Sequence, residues 1–414
     1  MMMDKRTSLI PGYEVILDKL VDIALAAGPI GSQTDKYFTN TSRIVAAHGD
    51  TDVTFAVFMR RRVVAALEPT IRMVQRLVPT ARVKRFYEEG DIVPSESKML
   101  EITGSMAKLS EVETLVLQKI GFPCVSANNA YEMCRAIPYA AFMDMHARHG
   151  SGAEMNILAA YGAAVGSAAA KHADSNVKGF VGSSQDLTAP LFGSASGMGT
   201  MPHALVGYTR GDVLEAMKLF AETIPEAKTL IALVDYTGEE VTDSLRSARW
   251  FYEEAKLQDT DKVFGVRLDT HGGRFAEGLD YEKSVDTVGH WLGVTGEYNI
   301  VEQVLGGRAF QLDPNNILVD KVRRILFGKG VSVASIIHVR RALDAAGYKQ
   351  AQIVASSGFD PQKCQVMGAA KAPLNMVGTG SFLPATLTET YATADIIAYD
   401  GVRRVKVGRE FLFD

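Results

Sequence analysis

The chain has little cysteine, no basic surplus and no long apolar run. Its three cysteines, Cys124, Cys134 and Cys364, are widely spaced and include no CxxC pair. That pattern argues against a disulfide framework or a paired-cysteine zinc site, and suits buried thiols in a reducing compartment. Lysines and arginines number 44 against 48 aspartates and glutamates, a formal net charge of −4. Without a basic field the chain lacks the electrostatic footprint that nucleic acid or an anionic membrane requires. An anionic ligand must then be held by local arginines and lysines or by backbone amides. No apolar run approaches the roughly 20 residues that span a bilayer, and Met1-Met2-Met3-Asp4-Lys5-Arg6 lacks a signal peptide's apolar core. The expectation is a cytoplasmic protein with neither a nucleic-acid nor a membrane partner.

What is present reads as an ordinary globular chain. Hydrophobic residues make up 47%, which argues against wholesale disorder. A length of 414 residues exceeds the roughly 250–300 that one core usually serves, so two domains are expected. Residues 13–23 are helical in pattern, and residues 71–78 form a second helix stopped by Pro79. Val53, Phe55, Val57 and Met59 alternate with the period of a strand. Arg60-Arg61-Arg62 ends that strand, either as a solvated basic edge or as a phosphate clamp. Tyr37 reads either as an exposed connector residue or as a platform for a planar ring. Residues 109–119 and 129–147 again have a helical pattern. The Ala- and Gly-rich stretch 154–181 suits close helix packing; a dinucleotide loop would have to follow a strand immediately. His146 and His149 have no evident partner to complete a metal-ligand set, so no metal ligand is assigned. Arg148 between them suits a carboxylate or ring contact.

From Gly199 onward the rhythm becomes strand–helix. Gly199-Thr200-Met201-Pro202-His203 precedes two apolar runs that end in acid, 229–235 at Asp235 and 263–269 at Asp269. As parallel strands, both runs set a carboxylate at the C-terminal tip, where such sheets and barrels place their chemistry. His203, Asp235, Arg267 and Asp269 at one rim would form a charged, Mg-compatible pocket. A helix follows Asp212, another buries Val241, Leu245, Ala248 and Tyr252, and a third runs from Ser335 to Ala346. In that third helix Ile336, Val339, Leu343 and Ala346 are expected inward, with Gly347 as its stop. Two later strands open into small-residue loops heading toward helical segments, Ser356-Ser357-Gly358 and Gly378-Thr379-Gly380-Ser381. Each alone reads as a tight turn. At successive strand ends, together, they suit a phosphate. One helix-end charge contact is worth only ~0.3–1 kcal/mol, so several donors must act together. Residues 276–330, with Trp291 and Gln311-Leu312-Asp313-Pro314, break the rhythm and read as an excursion with short helices of its own.

These residues resemble the nicotinate phosphoribosyltransferases, relatives of the quinolinate and nicotinamide phosphoribosyltransferases. The carrying motifs are Thr34-Asp35-Lys36-Tyr37, Phe58-Met59-Arg60, Gly199 to His203, Leu233-Val234-Asp235, Gly265 to Thr270, Ser356 to Asp360 and Val377-Gly378-Thr379. Their order along most of the chain carries the resemblance. It implies an α/β protein: an irregular (β/α) barrel domain, residues 136–385 with an insertion near 276–330, beside an α/β domain built from 1–135 and closed by 386–414. The implied reaction joins nicotinate to phosphoribosyl pyrophosphate, giving nicotinate mononucleotide and pyrophosphate for NAD biosynthesis, with Mg2+ and with ATP as co-substrate. By resemblance His203 is the transiently phosphorylated histidine and Asp235 its partner, while Arg267 and Asp269 hold pyridine ring and ribose. Thr200 and Arg148 contact substrate, and Asp186 lies near the position that separates acid from amide bases. Ser356, Ser357, Gly358, Gly378, Thr379 and Gly380 cradle phosphate. In the implied homodimer, Tyr37 stacks on the ring from the neighbouring subunit and Arg60 reaches the 5′-phosphate. The chain departs from the family pattern at Met145-His146-Ala147, at Ala204, and in the loop Thr270-His271-Gly272-Gly273-Arg274-Phe275. Two alternatives remain: another pyridine base, or a non-catalytic relative that binds a phosphorylated ligand. An aldolase would need a Schiff-base lysine, and none lies inside the apolar runs.

Overall fold

The alternating stretch at Val53 folds as a strand, as its period requires. The computed structural model describes residues 10–306 and 317–413. In chain order the strands are β1 (Asp52–Met59), β2 (Val63–Val64), β3 (Arg82–Arg85), β4 (Ile92–Val93) and β5 (Lys98–Ser105). Then come β6 (Ala141–Asp144), β7 (Gly179–Ser183), β8 (Thr229–Leu233) and β9 (Val263–Leu268). The last are β10 (Gln352–Ala355), β11 (Met376–Thr379), β12 (Ala392–Tyr399) and β13 (Val402–Arg403). One sheet is antiparallel, in the order β13-β12-β1-β5-β3. Its strand β12 returns from the far end of the sequence to pair with β1, Val57 opposite Ala394.

The other sheet has six strands in the order β7-β6-β11-β10-β9-β8, and every pairing in it is parallel. Buried strands of this kind read as near-continuous apolar runs, which is how Leu230–Leu233 appears and, with Arg267 as its one charged member, Phe264–Leu268. The outer strands of that order, β7 and β8, are not joined by backbone hydrogen bonds among the described residues. Parallel strands all end at the same edge, and that single fact assembles the site described below.

Some expectations fail locally. The helical patterns at 109–119 and 129–147 belong partly to one helix, Met106–Ala136, which carries Pro123 inside it. That helix stops well before 147, because Ala141–Asp144 pairs in parallel with β11 and β7. A short apolar run cannot be told from a buried helix by periodicity alone; its sheet neighbours decide. Similarly, Ala346 is the exposed cap of the Val333–Ala345 helix and does not face inward. Gly347 follows it at φ +92°, as a stop signal should.

The Ala- and Gly-rich stretch forms the Ala153–Ala173 helix, which packs along the Met106–Ala136 helix. Gly162 and Gly166 face that partner's backbone at Pro123 and Ala127, and a buried Lys119 pairs with Glu154. Within 276–330, short helices do form at Tyr281–Leu292, Glu297–Leu305 and Ile317–Phe327. They pack on the Val333–Ala345 and Pro361–Ala369 helices, and the Trp291 indole donates to the Ala370 carbonyl at 3.1 Å. Gln311 to Pro314 lie outside the described residues. No helix among the described residues is long and apolar enough to cross a membrane.

The Met106–Ala136 helix also carries a pH-sensitive spot. Burial pushes the Glu113 carboxyl up to about 8, helped by the nearby Asp395 and Asp35 charges. The folded chain therefore keeps a proton that the unfolded chain releases near its ordinary value of 4.5. That stabilising contribution is complete below 4.5 and disappears as pH rises through about 8. Glu113→Gln should remove roughly 1–3 kcal/mol of the stability loss between pH 5 and pH 8. Urea unfolding at both pH values checks this; an unchanged loss in the variant refutes it.

Candidate active site at the C-terminal edge of the parallel sheet

A cavity of about 840 Å3 opens where the parallel strands end. The β6 end contributes Met145, Ala147 and Arg148, and the β7 end Ser184. From β9 come Arg267 and Asp269, while the loops after β10 and β11 supply Ser356–Gly358 and Gly378–Ser381. Gly199–His203 closes one wall. Segments scattered over more than two hundred residues thus share one mouth, because every strand that delivers them points the same way.

His203 opens the short His203–Tyr208 helix. Its Nε2 lies 3.1 Å from both carboxylate oxygens of Asp235, just beyond the end of β8. The imidazole is exposed to the cavity, whereas Asp235 is buried. Burial pushes the Asp235 carboxyl above its usual value, and the Asp269 charge adds to this; the hydrogen bond and charge of His203 oppose it. His203 thus works against the burial that disfavours the charged form of Asp235.

Arg267 reaches across from β9. It donates from Nη1 to the Thr200 hydroxyl at 2.7 Å and from Nη2 to the Met201 carbonyl at 3.0 Å. This ties the strand to the wall that presents His203. Burial lowers the guanidinium pKa, with Asp269 and Asp235 countering. Its Nε is buried and has no hydrogen-bond partner among the described residues. An unused buried donor costs about 1–3 kcal/mol, so this one is suited to a ligand or an ordered water.

The two small-residue loops share the cavity but differ in construction. After β10, Ser357 takes φ +77° and Gly358 φ +66°, a left-handed pair that turns successive amides together. The Pro361–Ala369 helix follows, capped by Asp360, whose carboxylate accepts from the Lys363 amide at 2.6 Å. After β11, Gly380 passes so close to His146 that a Cβ would sit 2.9 Å from the His146 Cα. No α-helix follows this loop directly; the chain continues to a single 3-10 turn at Leu387–Thr390. The expectation of a helix end behind both loops therefore holds only for the first.

Asp235, expected at the rim, does not itself line the cavity and meets it only through His203; three other predicted residues lie elsewhere. Tyr37 is 62% exposed, rests against Phe38 and donates to Asp35. Arg60 is exposed at the end of β1. Neither lines the cavity of its own chain. Asp186 also stays out of the lining; it accepts the Gly197 amide at 2.7 Å and braces the loop between them. Its neighbour Ser184 lines the cavity instead.

Sequence reading missed several others. His146 is fully buried and pairs through Nδ1 with Asp144, and Asp144 also accepts from Ser183. Asp144, two residues away, was the acid overlooked beside the histidines. Lys363 donates to the Ser357 carbonyl at 2.8 Å and sits over the Phe359 ring; burial lowers its pKa to about 8. Glu240 and Arg274 bind each other behind Asp235. Only the position of Lys363 in the first helical turn beyond a small-residue loop was a usable signal.

No family model and no curated protein sequence matches the chain. Solved structures do. The nicotinate-nucleotide pyrophosphorylase from Pyrococcus furiosus aligns over 91% of this chain and 78% of its own, with TM-score 0.63 and 22% identity. NadC from Streptococcus pyogenes aligns over 92% and 96%, with TM-score 0.55 and 14% identity. Human nicotinic acid phosphoribosyltransferase aligns over 91% and 76%, with TM-score 0.54 and 15% identity. The chain shares their fold. At such identities the likeness concerns architecture, which agrees with the α/β fold expected from the motifs.

Proposed function

We propose that the chain is a phosphoribosyltransferase of NAD biosynthesis that joins nicotinate to phosphoribosyl pyrophosphate. The observation that carries this reading is the convergence of the His203–Asp235 pair, Arg267 with Asp269, and two small-residue loops on one cavity. Breaking the anomeric bond builds positive charge on the ribose and negative charge on the departing pyrophosphate. Asp269 opposes the first, with Asp235 acting through His203, and Arg267, Arg148 and the loop amides oppose the second, in a site whose groups are already in place. Ser356, Ser357, Gly358, Gly378, Thr379 and Gly380 are suited to the sugar phosphate. The pyridine ring would lie near Arg267 and Arg148, whose charges favour a carboxylate on the base.

Among the described residues no group of three or more His, Cys, Asp or Glu side chains could form a metal cage. The one cavity-lining carboxylate among the described residues suits a magnesium ion that arrives with its phosphates, since Mg2+ typically uses one or two carboxylates plus substrate oxygens. Asp269, which lines the cavity, would hold it together with substrate oxygens, and its charge would assist pyrophosphate departure. Coupling to ATP would use His203. Asp235 engages Nε2, leaving Nδ1 as the nitrogen open to a phosphoryl group, with the carboxylate orienting the ring and stabilising its cationic form. A homodimer in which Tyr37 and Arg60 reach the partner's cavity completes the reading; both are exposed here and stand away from their own cavity.

The deciding assay is labelled nicotinate with phosphoribosyl pyrophosphate and Mg2+, following nucleotide and pyrophosphate, with nicotinamide and quinolinate in parallel. Turnover of nicotinate above the other two supports the assignment. Turnover of another base moves it within the class, and pyrophosphate release with none of them sinks it. A second expectation concerns ATP. His203→Ala should still bind nicotinate but lose stimulation by ATP, and retained stimulation removes the phosphohistidine role.

A further inference from the structure

Glu240 is a fully buried carboxylate outside the cavity lining, and it is surrounded by donors. One oxygen accepts from the Thr270 hydroxyl at 2.8 Å and from Arg274 Nη2 at 2.6 Å. The other accepts the Glu277 amide at 2.9 Å. Arg274 in turn donates from Nη2 to the main-chain carbonyl of Asp235 at 2.8 Å and from Nη1 to the Phe275 carbonyl at 3.1 Å. Glu277 returns the contact: its carboxylate accepts the Val241 and Thr242 amides, each at 2.8 Å, and the Thr242 hydroxyl at 2.6 Å. That second set caps the Glu240–Arg249 helix.

The consequence is geometric. Residues 235–242 leave β8 and carry Asp235; residues 269–278 leave β9 and carry Asp269. Adjacent parallel strands bring these loops near each other but do not set the spacing of side chains beyond the strand ends. The clasp sets it. Arg274 Nη2 holds the buried Glu240 carboxylate and, with the same nitrogen, the main-chain carbonyl of Asp235, the residue that faces His203, while Nη1 holds the Phe275 carbonyl; a planar guanidinium fixed at three acceptors tolerates little misalignment. We infer that Glu240 and Arg274 are positioning residues that hold Asp235 against His203 and keep its distance from Asp269. The inference rests on the proposed phosphoribosyl transfer for its catalytic meaning, though not for its geometry.

Arg274→Lys keeps the charge and loses the fork, and Thr270→Val removes one donor from Glu240 without leaving a buried charge alone. Supporting groups of this kind typically change activity by about 10–100-fold. In Arg274→Lys, kcat for pyrophosphate release should fall by at least about tenfold, with KM for both substrates nearly unchanged. The imidazole nitrogen NMR signals of His203 should shift, reporting a loosened contact with Asp235. In an Asp235→Asn background, followed with excess enzyme, the same substitution should have no further effect. Thr270→Val should act in the same direction and more weakly. A smaller fall in kcat with unmoved His203 signals overturns the inference, as does a fall of equal size in the Asp235→Asn background. If the wild-type chain releases no pyrophosphate, the functional reading fails by itself. The His203 signals of folded Arg274→Lys then decide alone: a shift upholds the positioning role and unmoved signals end it.

Discussion

Arg267→Ala is expected to lower phosphoribosyl transfer by about a thousandfold while the chain still unfolds cooperatively. Removing one preorganised donor from a site of developing charge costs about 2.7–4 kcal/mol, and Arg267 supplies more than one function. Nη1 and Nη2 hold Thr200 and Met201, and so the wall that carries His203. Its charge offsets Asp235 and Asp269, and its buried Nε is free of protein partners among the described residues. Alanine removes all of this and leaves the charges of Asp235 and Asp269 without that compensation. Some stability is lost too, because a buried charge deprived of its partner is destabilising. Arg267→Lys should recover little activity, since an ammonium cannot reach the Thr200 hydroxyl and the Met201 carbonyl with a planar fork. Steady-state pyrophosphate release with a thermal melt of each variant is the check. A kcat/KM within tenfold of wild type in a normally folded Arg267→Ala would remove the residue from the mechanism.

Gly166→Ala is expected to destabilise the chain by about 1–3 kcal/mol, against the sign of helix propensity. In an exposed helix interior this change gains roughly 1 kcal/mol. Gly166, however, lies where the Ala153–Ala173 helix touches the Met106–Ala136 helix. A Cβ there would fall 2.2 Å from the Ala127 carbonyl oxygen and 2.9 Å from the Tyr131 amide nitrogen. Both are backbone atoms, so no side chain can swing aside and the helices must separate. Interiors packed at crystal density transmit that displacement to their neighbours. Urea unfolding gives the answer; a midpoint equal to or above wild type would mean that the helices slide apart freely. Gly162→Ala, with a Cβ 2.5 Å from the Pro123 carbonyl oxygen, should behave alike.

The strands that carry chemistry were legible because parallel sheets bury both faces. Leu230–Leu233 stands out as an unbroken apolar run and Phe264–Leu268 as one interrupted only by Arg267, with an acid just beyond each. The small-residue loops at 356–358 and 378–380 were legible for a related reason: turns that expose amides need glycine or serine. β6 was not legible. Its four residues carry an apolar signal that a helix end would give equally well, and only β11 and β7 on either side make it a strand. The buried Asp144–His146 pair was hidden with it, since nothing in a local pattern tells which way a histidine points.

The amino-acid sequence alone settled the periodicities, the acids at two strand tips, the paired small-residue turns and the absence of a basic field. Each depends on neighbours a few residues away, which is the range over which dihedral preferences and side-chain alternation act. Folding decided what meets what: that Asp235 faces His203, that Arg267 spans to Thr200 and Met201, that Glu240 and Arg274 lock two loops together, and that Asp186 braces a loop outside the cavity. Those contacts join residues between eleven and several dozen positions apart. Their geometry comes from the order and common direction of six strands, and hydrogen bonding across a sheet leaves no trace in local composition.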